Sequence, residues 1–95
     1  MDKLTYTIRK RNIAADRAGN ARAEAEEAKA WVNHLIELQE LVTTLEARKA
    51  HGRNLTAAKT AEYTARQRAI KAENHYRTLR YKAEVALGKA ARKEA

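Results

Sequence analysis

The chain has 95 residues with no proline, no cysteine and three glycines, and its formal net charge is +8 at pH 7. This length suits one small domain, and the scarcity of chain-breaking residues favours long helices. The lack of cysteine excludes disulfides, thiolate metal sites and cysteine nucleophiles. Serine is absent as well, so the chain has no serine nucleophile.

The charge is unevenly distributed along the chain. Residues 1–12 carry a net charge of +3, residues 13–50 of −2 and residues 51–95 of +7. A pI near 10.1 raises the expectation of an anionic partner, either nucleic acid or an acidic protein surface. No apolar stretch resembles a signal peptide or a membrane span, so we expect a cytoplasmic location or a place within a viral particle. Short basic chains of this kind often come from phages and mobile elements.

Residues 1–11 differ in pattern from the rest of the chain. Leu4, Tyr6 and Ile8 alternate with polar residues in the period of a strand. A single strand would pair with its own copy or add to a sheet edge of a partner. The alternative is that this segment forms the frayed first turns of a helix capped by Asp2. We therefore predict an extended or frayed segment at 1–11.

A helix is predicted over about 12–50. Trp31, Leu35, Leu38, Val42 and Leu45 step by four and three residues along one face. Asn12 is a suitable N-cap. Gly19 and Asn20 allow a break at 19–20, although a continuous or kinked helix is favoured.

The predicted turn is residues 51–54, because Gly52 can adopt a left-handed cap conformation and Asn54 can cap the next helix. A second helix follows over about 55–93. Its alanine-rich seam repeats every four and three residues, which is typical of a coiled coil. Folding about Gly52 would place Leu35 against Ala69 and Leu38 against Ala65. The chain, as a domain over 12–95, is thus predicted to be an all-α, long antiparallel helical hairpin.

The first helix carries more large apolar side chains than one neighbouring helix can cover. A homo-oligomer, such as a four-helix bundle of two hairpins, would bury them. The alternative is a three-helix unit in which the N-terminal segment folds back. The residues predicted to drive self-association are Trp31, Val32, Leu35, Ile36, Leu38, Leu41, Val42 and Leu45.

A second apolar stripe on the back of the second helix lies between two rows of basic residues. This pattern predicts a partner-binding face in which lysine and arginine pair with carboxylates or phosphates. The alternative is that a second protomer buries the stripe and the basic rows remain solvated. The predicted partner-binding residues are Tyr63, Arg66, Arg68, Ile70, Lys71, Arg77, Arg80, Tyr81, Lys82 and Val85.

No known catalytic or metal-binding pattern is present. His34, His51 and His75 lie far apart and lack partners at metal-ligand spacing, and no glycine-rich phosphate loop occurs. We therefore expect no enzyme activity, no cofactor, no metal and no small-molecule substrate. The leading hypothesis is a self-associating helical protein that docks on a larger, locally acidic protein assembly. The alternative is a hairpin dimer that binds nucleic acid through phosphate contacts of its second helix.

Overall fold

The computed structural model describes residues 2–94, which form two long antiparallel helices joined by a short turn. Helix α1 spans Lys3–Leu38, a short 3₁₀ helix spans Gln39–Leu41, and helix α2 spans Leu45–Glu94. No strand occurs within this described part of the chain. The predicted all-α hairpin is therefore confirmed. Met1 and Ala95, the outermost residues of the predicted segments 1–11 and 12–95, lie outside the described residues.

The hairpin is a rod rather than a globule. It measures 74 × 17 × 16 Å, and its radius of gyration is 21.2 Å. A compact domain of this length would have a radius of gyration of about 12 Å. Most residues of the hairpin are consequently close to solvent.

The N-terminal segment is helical over residues 3–11, so the extended alternative for 1–11 is wrong there, whereas the alternative of first helical turns capped by Asp2 is confirmed. The Thr5 amide donates a 2.7 Å hydrogen bond to Asp2 Oδ1, and the Tyr6 amide donates to the Asp2 carbonyl at 3.1 Å. This N-cap satisfies amides that a helix start leaves unpaired. The hydrogen bonds from Thr5 also lower the pKa of Asp2. The alternation of Leu4 and Ile8 is compatible with a helix, because the two residues are four positions apart.

The turn lies at Val42–Thr44, and the prediction of a turn at 51–54 is wrong. Val42 has extended backbone angles, and the Thr44 hydroxyl accepts the Ala47 amide at 3.1 Å as the N-cap of α2. The Arg48 guanidinium donates to the Val42 carbonyl at 3.3 Å and so closes the turn. Three consecutive β-branched residues at 42–44 have low helix propensity, and threonine is a favourable cap, which explains the break here.

Both glycines that suggested breaks lie inside helices. Gly52 belongs to α2 and Gly19 to α1, and neither has a positive φ. A glycine inside a helix destabilises it by about 1 kcal/mol relative to alanine, and the helix propensity of the neighbouring residues offsets this penalty. The predicted helix of 12–50 is therefore corrected to Lys3–Leu38, without a break at 19–20.

The earlier turn changes the register between the helices. Leu35 and Val32 form a buried cluster with Ala58, and Leu38 and Leu55 pack against it. The predicted pairing of Leu35 with Ala69 is thus wrong. The large-against-small principle still holds, because leucine and valine of α1 face an alanine of α2 and let the helices come close.

The buried core of the hairpin is small. Seven apolar residues are buried among those that the structure describes, and only Val32, Leu35 and Leu79 are larger than alanine. The others are Ala14, Ala18, Ala58 and Ala83. Small domains with few large buried side chains usually need a further source of stability.

Candidate partner-binding surfaces

The two long sides of the hairpin differ in charge pairing. The Arg22 guanidinium of α1 lies 3.3 Å from a Glu73 carboxylate oxygen of α2 and identifies one side, which we name the mixed flank. Residues of α2 that follow Glu73 at steps of three and four share this side. The α2 residues of the mixed flank are Tyr63, Arg66, Ile70, Glu73, Arg77, Arg80, Glu84 and Leu87.

Arginines of the mixed flank are paired within the chain. Arg77 contacts the other oxygen of Glu73 at 3.5 Å, so that this carboxylate serves two arginines. Arg66 pairs with Glu62 at 3.2 Å, and Arg80 contacts Glu84 at 3.8 Å. Arg80 also lies over the ring of Tyr76, with 5.8 Å between its guanidinium carbon and the ring centroid. These exposed pairs add little stability, but they reduce the charge that the flank presents to a partner.

Apolar side chains lie exposed between these ion pairs. Tyr63 is 59% exposed and Ile70 is 48% exposed. Ile36 of α1 and Leu87 of α2, at the same spacing on this flank, are exposed as well. Apolar groups surrounded by internally paired charges are typical of a protein interface rather than of a phosphate-binding surface.

The opposite side, the basic flank, carries basic residues without carboxylate partners. Its α2 residues follow one another at steps of three and four and are Arg68, Lys71, His75, Thr78, Lys82, Val85, Lys89 and Arg92. None of these basic side chains forms an ion pair with the side chains that the structure describes, those of residues 2–93. The carboxylates of this flank, Glu24 and Glu27 of α1, lie toward the turn, so its positive charge is most concentrated at the open end.

The basic flank contains a groove at the open end of the hairpin, where the first turns of α1 meet the last turns of α2. Its volume is about 610 Å³. Among the described side chains, those of residues 2–93, five lysines and no carboxylate line it, and Leu4, Leu79, Val85 and three small residues form the rest of the wall with Tyr6. The lysines are Lys3, Lys10, Lys82, Lys89 and Lys93. Lys10 Nζ lies 5.0 Å from the centroid of the Tyr6 ring.

The predicted partner-binding residues do not form one face. Arg66, Arg77 and Arg80 lie with Tyr63 and Ile70 on the mixed flank. Arg68, Lys71, Lys82 and Val85 lie on the basic flank, and Tyr81, at 67% exposure, lies on the outer edge between them. The predicted stripe repeats at about 3.7 residues per turn, whereas the seam repeats at 3.5, so the stripe drifts around the helix from one flank to the other.

The residues predicted for self-association are also divided. Val32 and Leu35 are buried inside the hairpin, and Leu38 and Val42 are half-buried. The rest, Trp31, Ile36, Leu41 and Leu45, remain exposed, with Leu41 at 74%. Trp31 stacks at a tilt on His34, with ring centroids 5.5 Å apart.

Sequence reasoning missed the groove because its two walls are about 80 residues apart in the chain. Lys3, Tyr6 and Lys10 belonged to a segment predicted to be extended or frayed, and Lys93 was not assigned to the predicted binding face. A helical reading of residues 3–10 would have placed Lys3, Tyr6 and Lys10 on one side, at steps of three and four.

One buried polar atom lies near the turn. The Nε2 atom of His51 is buried and has no hydrogen-bond partner. His51 lines a cleft with Gln39, Val42 and Arg48. A single unsatisfied imidazole nitrogen costs stability and does not by itself define a site.

Among residues 2–94, no group of three or more His, Cys, Asp or Glu side chains is placed to hold a metal ion. No helix in this range has the length and apolarity needed to cross a membrane. Comparisons with family models, curated proteins and solved structures gave no match to the chain.

Proposed function

We propose that this chain is a non-enzymatic adaptor that self-associates through the mixed flank and docks on an acidic protein surface through the basic flank. The observation that carries the proposal is the difference in ion pairing between two rows of basic residues on one helix. Arg66, Arg77 and Arg80 are neutralised by carboxylates of the chain, whereas Lys82 and Lys89 are not. Unpaired, clustered positive charge steers an acidic partner and selects against a basic one.

Self-association is supported by the balance between the core and the exposed apolar surface. Three side chains larger than alanine are buried, while Tyr63, Ile70, Ile36 and Leu87 stand exposed on a single flank. A second copy presents the same flank, so an isologous pair would cover both sets of side chains. The arginines between these side chains would be buried together with their carboxylate partners, which lowers the desolvation free energy of forming the interface.

A second candidate function is binding of nucleic acid by the basic flank. It is favoured by Arg68, Lys71, Lys82 and Lys89, which are spaced along about six turns of α2 and have no carboxylate partners among the described side chains. It is weakened by Arg66, Arg77 and Arg80, which it also requires and which lie on the mixed flank. Phosphate binding should fall by about 10³ or more between 50 and 200 mM salt if about six contacts form.

The test is affinity capture from the source cell, with and without nuclease, followed by mass spectrometry. The wild-type chain is compared with Arg68→Glu/Lys82→Glu and with a matched control, Lys49→Glu/Arg53→Glu, which changes the net charge equally at exposed positions of α2 near the turn. We expect a nuclease-resistant acidic protein that the first variant loses and the control retains. Capture that disappears with nuclease supports nucleic-acid binding instead, and equal losses in both variants contradict a role for the basic flank.

A further inference from the structure

We propose that the groove at the open end of the hairpin binds an acidic amphipathic helix of a partner protein. This inference rests on the proposed function, because it names the segment of the basic flank that makes the specific contact and the chemistry of what it contacts. In the groove, apolar wall and lysines of the flank lie side by side.

The composition of the groove defines the polarity of its occupant. Leu4, Leu79 and Val85 form apolar wall that an occupant must cover with apolar groups. Lys3 and Lys10 line the side of the groove formed by α1, which we call the α1 bank, and Lys82 and Lys89 line the side formed by α2, the α2 bank. An occupant that matches this arrangement has an apolar centre and a carboxylate row on each edge, which is the pattern of an amphipathic acidic helix.

The dimensions of the groove suit a helix. Two packed helices have axes about 8–10 Å apart, and the furrow between them accepts a third helix as in a bundle. Lys3 and Lys10 are seven residues apart, and so are Lys82 and Lys89, which corresponds to about 10 Å along each helix axis. Glutamates seven residues apart on the occupant would therefore face both lysines of one bank.

The side chains in the groove favour a protein over a nucleic acid. Its cations are all lysines, and the lining contains no arginine, asparagine or glutamine. Arginine supplies the planar pair of donors that suits phosphate and guanine, and amides read adenine. Tyr6 is the one aromatic ring in the lining, and a nucleic acid stacked on it would leave Leu79 and Val85 uncovered.

The probe for this proposal is a fluorescein-labelled helical peptide of about 15 residues, a length near the minimum for a stable helix in water. It carries leucine along one face and glutamate along both edges of that face, on an alanine background. Its controls are the same peptide with glutamine in place of glutamate and a duplex oligonucleotide with the same label. Binding to the full chain is followed by fluorescence anisotropy.

The variant Lys10→Glu/Lys89→Glu reverses one lysine on each bank of the groove. We expect it to weaken peptide binding by about tenfold or more, because each carboxylate of the peptide then meets a like charge. Val85→Gln leaves every charge in place and should weaken binding as well, since it makes the wall polar. Lys49→Glu/Arg53→Glu, near the turn, is the matched control, with an expected change within about twofold. Circular dichroism establishes that each variant keeps its helices.

Three outcomes overturn the inference in distinguishable ways. If Arg68→Glu/Lys71→Glu abolishes peptide binding and Lys10→Glu/Lys89→Glu does not, the basic flank docks acidic helices but the groove is not the place. Equal binding of the glutamine peptide removes the requirement for carboxylates. If the wild-type chain binds the duplex but not the peptide, and the groove variants lose duplex binding, the occupant is nucleic acid. That result would also contradict the proposed docking on a protein.

Discussion

On α2 the basic flank has five arginines and lysines and the mixed flank has three, and the two surfaces also differ in how these charges are paired. On the mixed flank, Glu62, Glu73 and Glu84 form four ion pairs with arginines. Three of these pairs join residues four positions apart on α2. On the basic flank, no such pair forms among the described residues. The comparison shows that a row of lysine and arginine predicts an anionic partner only where no neighbouring carboxylate already pairs with it.

The largest effect is expected on self-association. Tyr63→Glu with Ile70→Glu should raise the dissociation constant of the isologous pair by about 10⁴-fold, because each of the two protomers loses two contributions of about 1.5 kcal/mol. Analytical ultracentrifugation measures the change. The matched control is Thr60→Glu with Tyr81→Glu, which adds the same charges at exposed positions of the outer edge and should leave association nearly unchanged. A wild-type chain that stays monomeric at micromolar concentration would remove the mixed flank as a self-association surface.

The assignment of residues to flanks depends on the turn at Val42–Thr44, and Gly52 tests it. A Cβ at Gly52 would meet no atom within 4 Å, and the same is true of Gly19. Gly52→Ala should therefore stabilise the hairpin by about 0.5–1 kcal/mol, as a helical glycine-to-alanine change does. Thermal unfolding measures the effect, and Gly19→Ala is expected to act in the same direction. A turn at 51–54 that needs a left-handed glycine would give destabilisation instead.

A smaller pair of effects separates the flanks by sign. Arg77→Gln removes a partner of Glu73 and should destabilise the chain by about 0.3–0.5 kcal/mol, the usual value for an exposed pair four residues apart. Lys82→Gln removes one of several unpaired like charges and should be neutral or slightly stabilising. Urea unfolding at low salt measures both, and the difference between them should shrink as salt is added. Equal destabilisation by both substitutions would contradict the contrast between the flanks.

The smallest effect concerns the start of α1, where both flanks begin. The pKa of Asp2 is lower in the folded chain than in the unfolded chain, because the folded carboxylate accepts hydrogen bonds from Thr5. The contribution of the Asp2 carboxylate to the stability of the helix start is therefore fully present above the unfolded pKa of about 3.9, and it is lost as pH falls through the lower folded pKa. Amide exchange at Thr5 and Tyr6, followed against pH, should report fraying only in this acidic range. Asp2→Asn keeps a capping oxygen and should abolish the dependence on pH.

The sequence was sufficient for the class of the fold but not for its register. Long runs of helix formers and an alanine seam repeating at 3.5 residues led directly to two antiparallel helices. The turn was misplaced because Gly52 was weighted above Val42, Thr43 and Thr44, although glycine without a need for positive φ is compatible with a helix. A shift of the turn by about nine residues changes every partner across the seam.

The candidate surfaces were only partly predictable for a related reason. Tyr63, Ile70, Arg68 and Lys82 were identified as exposed from spacing alone. Their division between two flanks results from the small difference between the repeat of the stripe, about 3.7 residues, and the 3.5-residue repeat of the seam. This difference accumulates over six turns, and a helical-wheel projection of a straight helix does not show it. The groove depends in addition on contacts between the two ends of the chain, which local spacing cannot supply.

The extended shape of the hairpin determines the distance between its two ends. Lys10 and Lys89 stand near one end of a 74 Å rod, and Leu41 and Leu45 stand exposed at the other. The two helices α1 and α2 pack against each other along the rod, and this packing resists bending of either helix. A molecule attached at the open end and another attached at the turn would therefore be held some seven nanometres apart, and the chain would act as a spacer of fixed length.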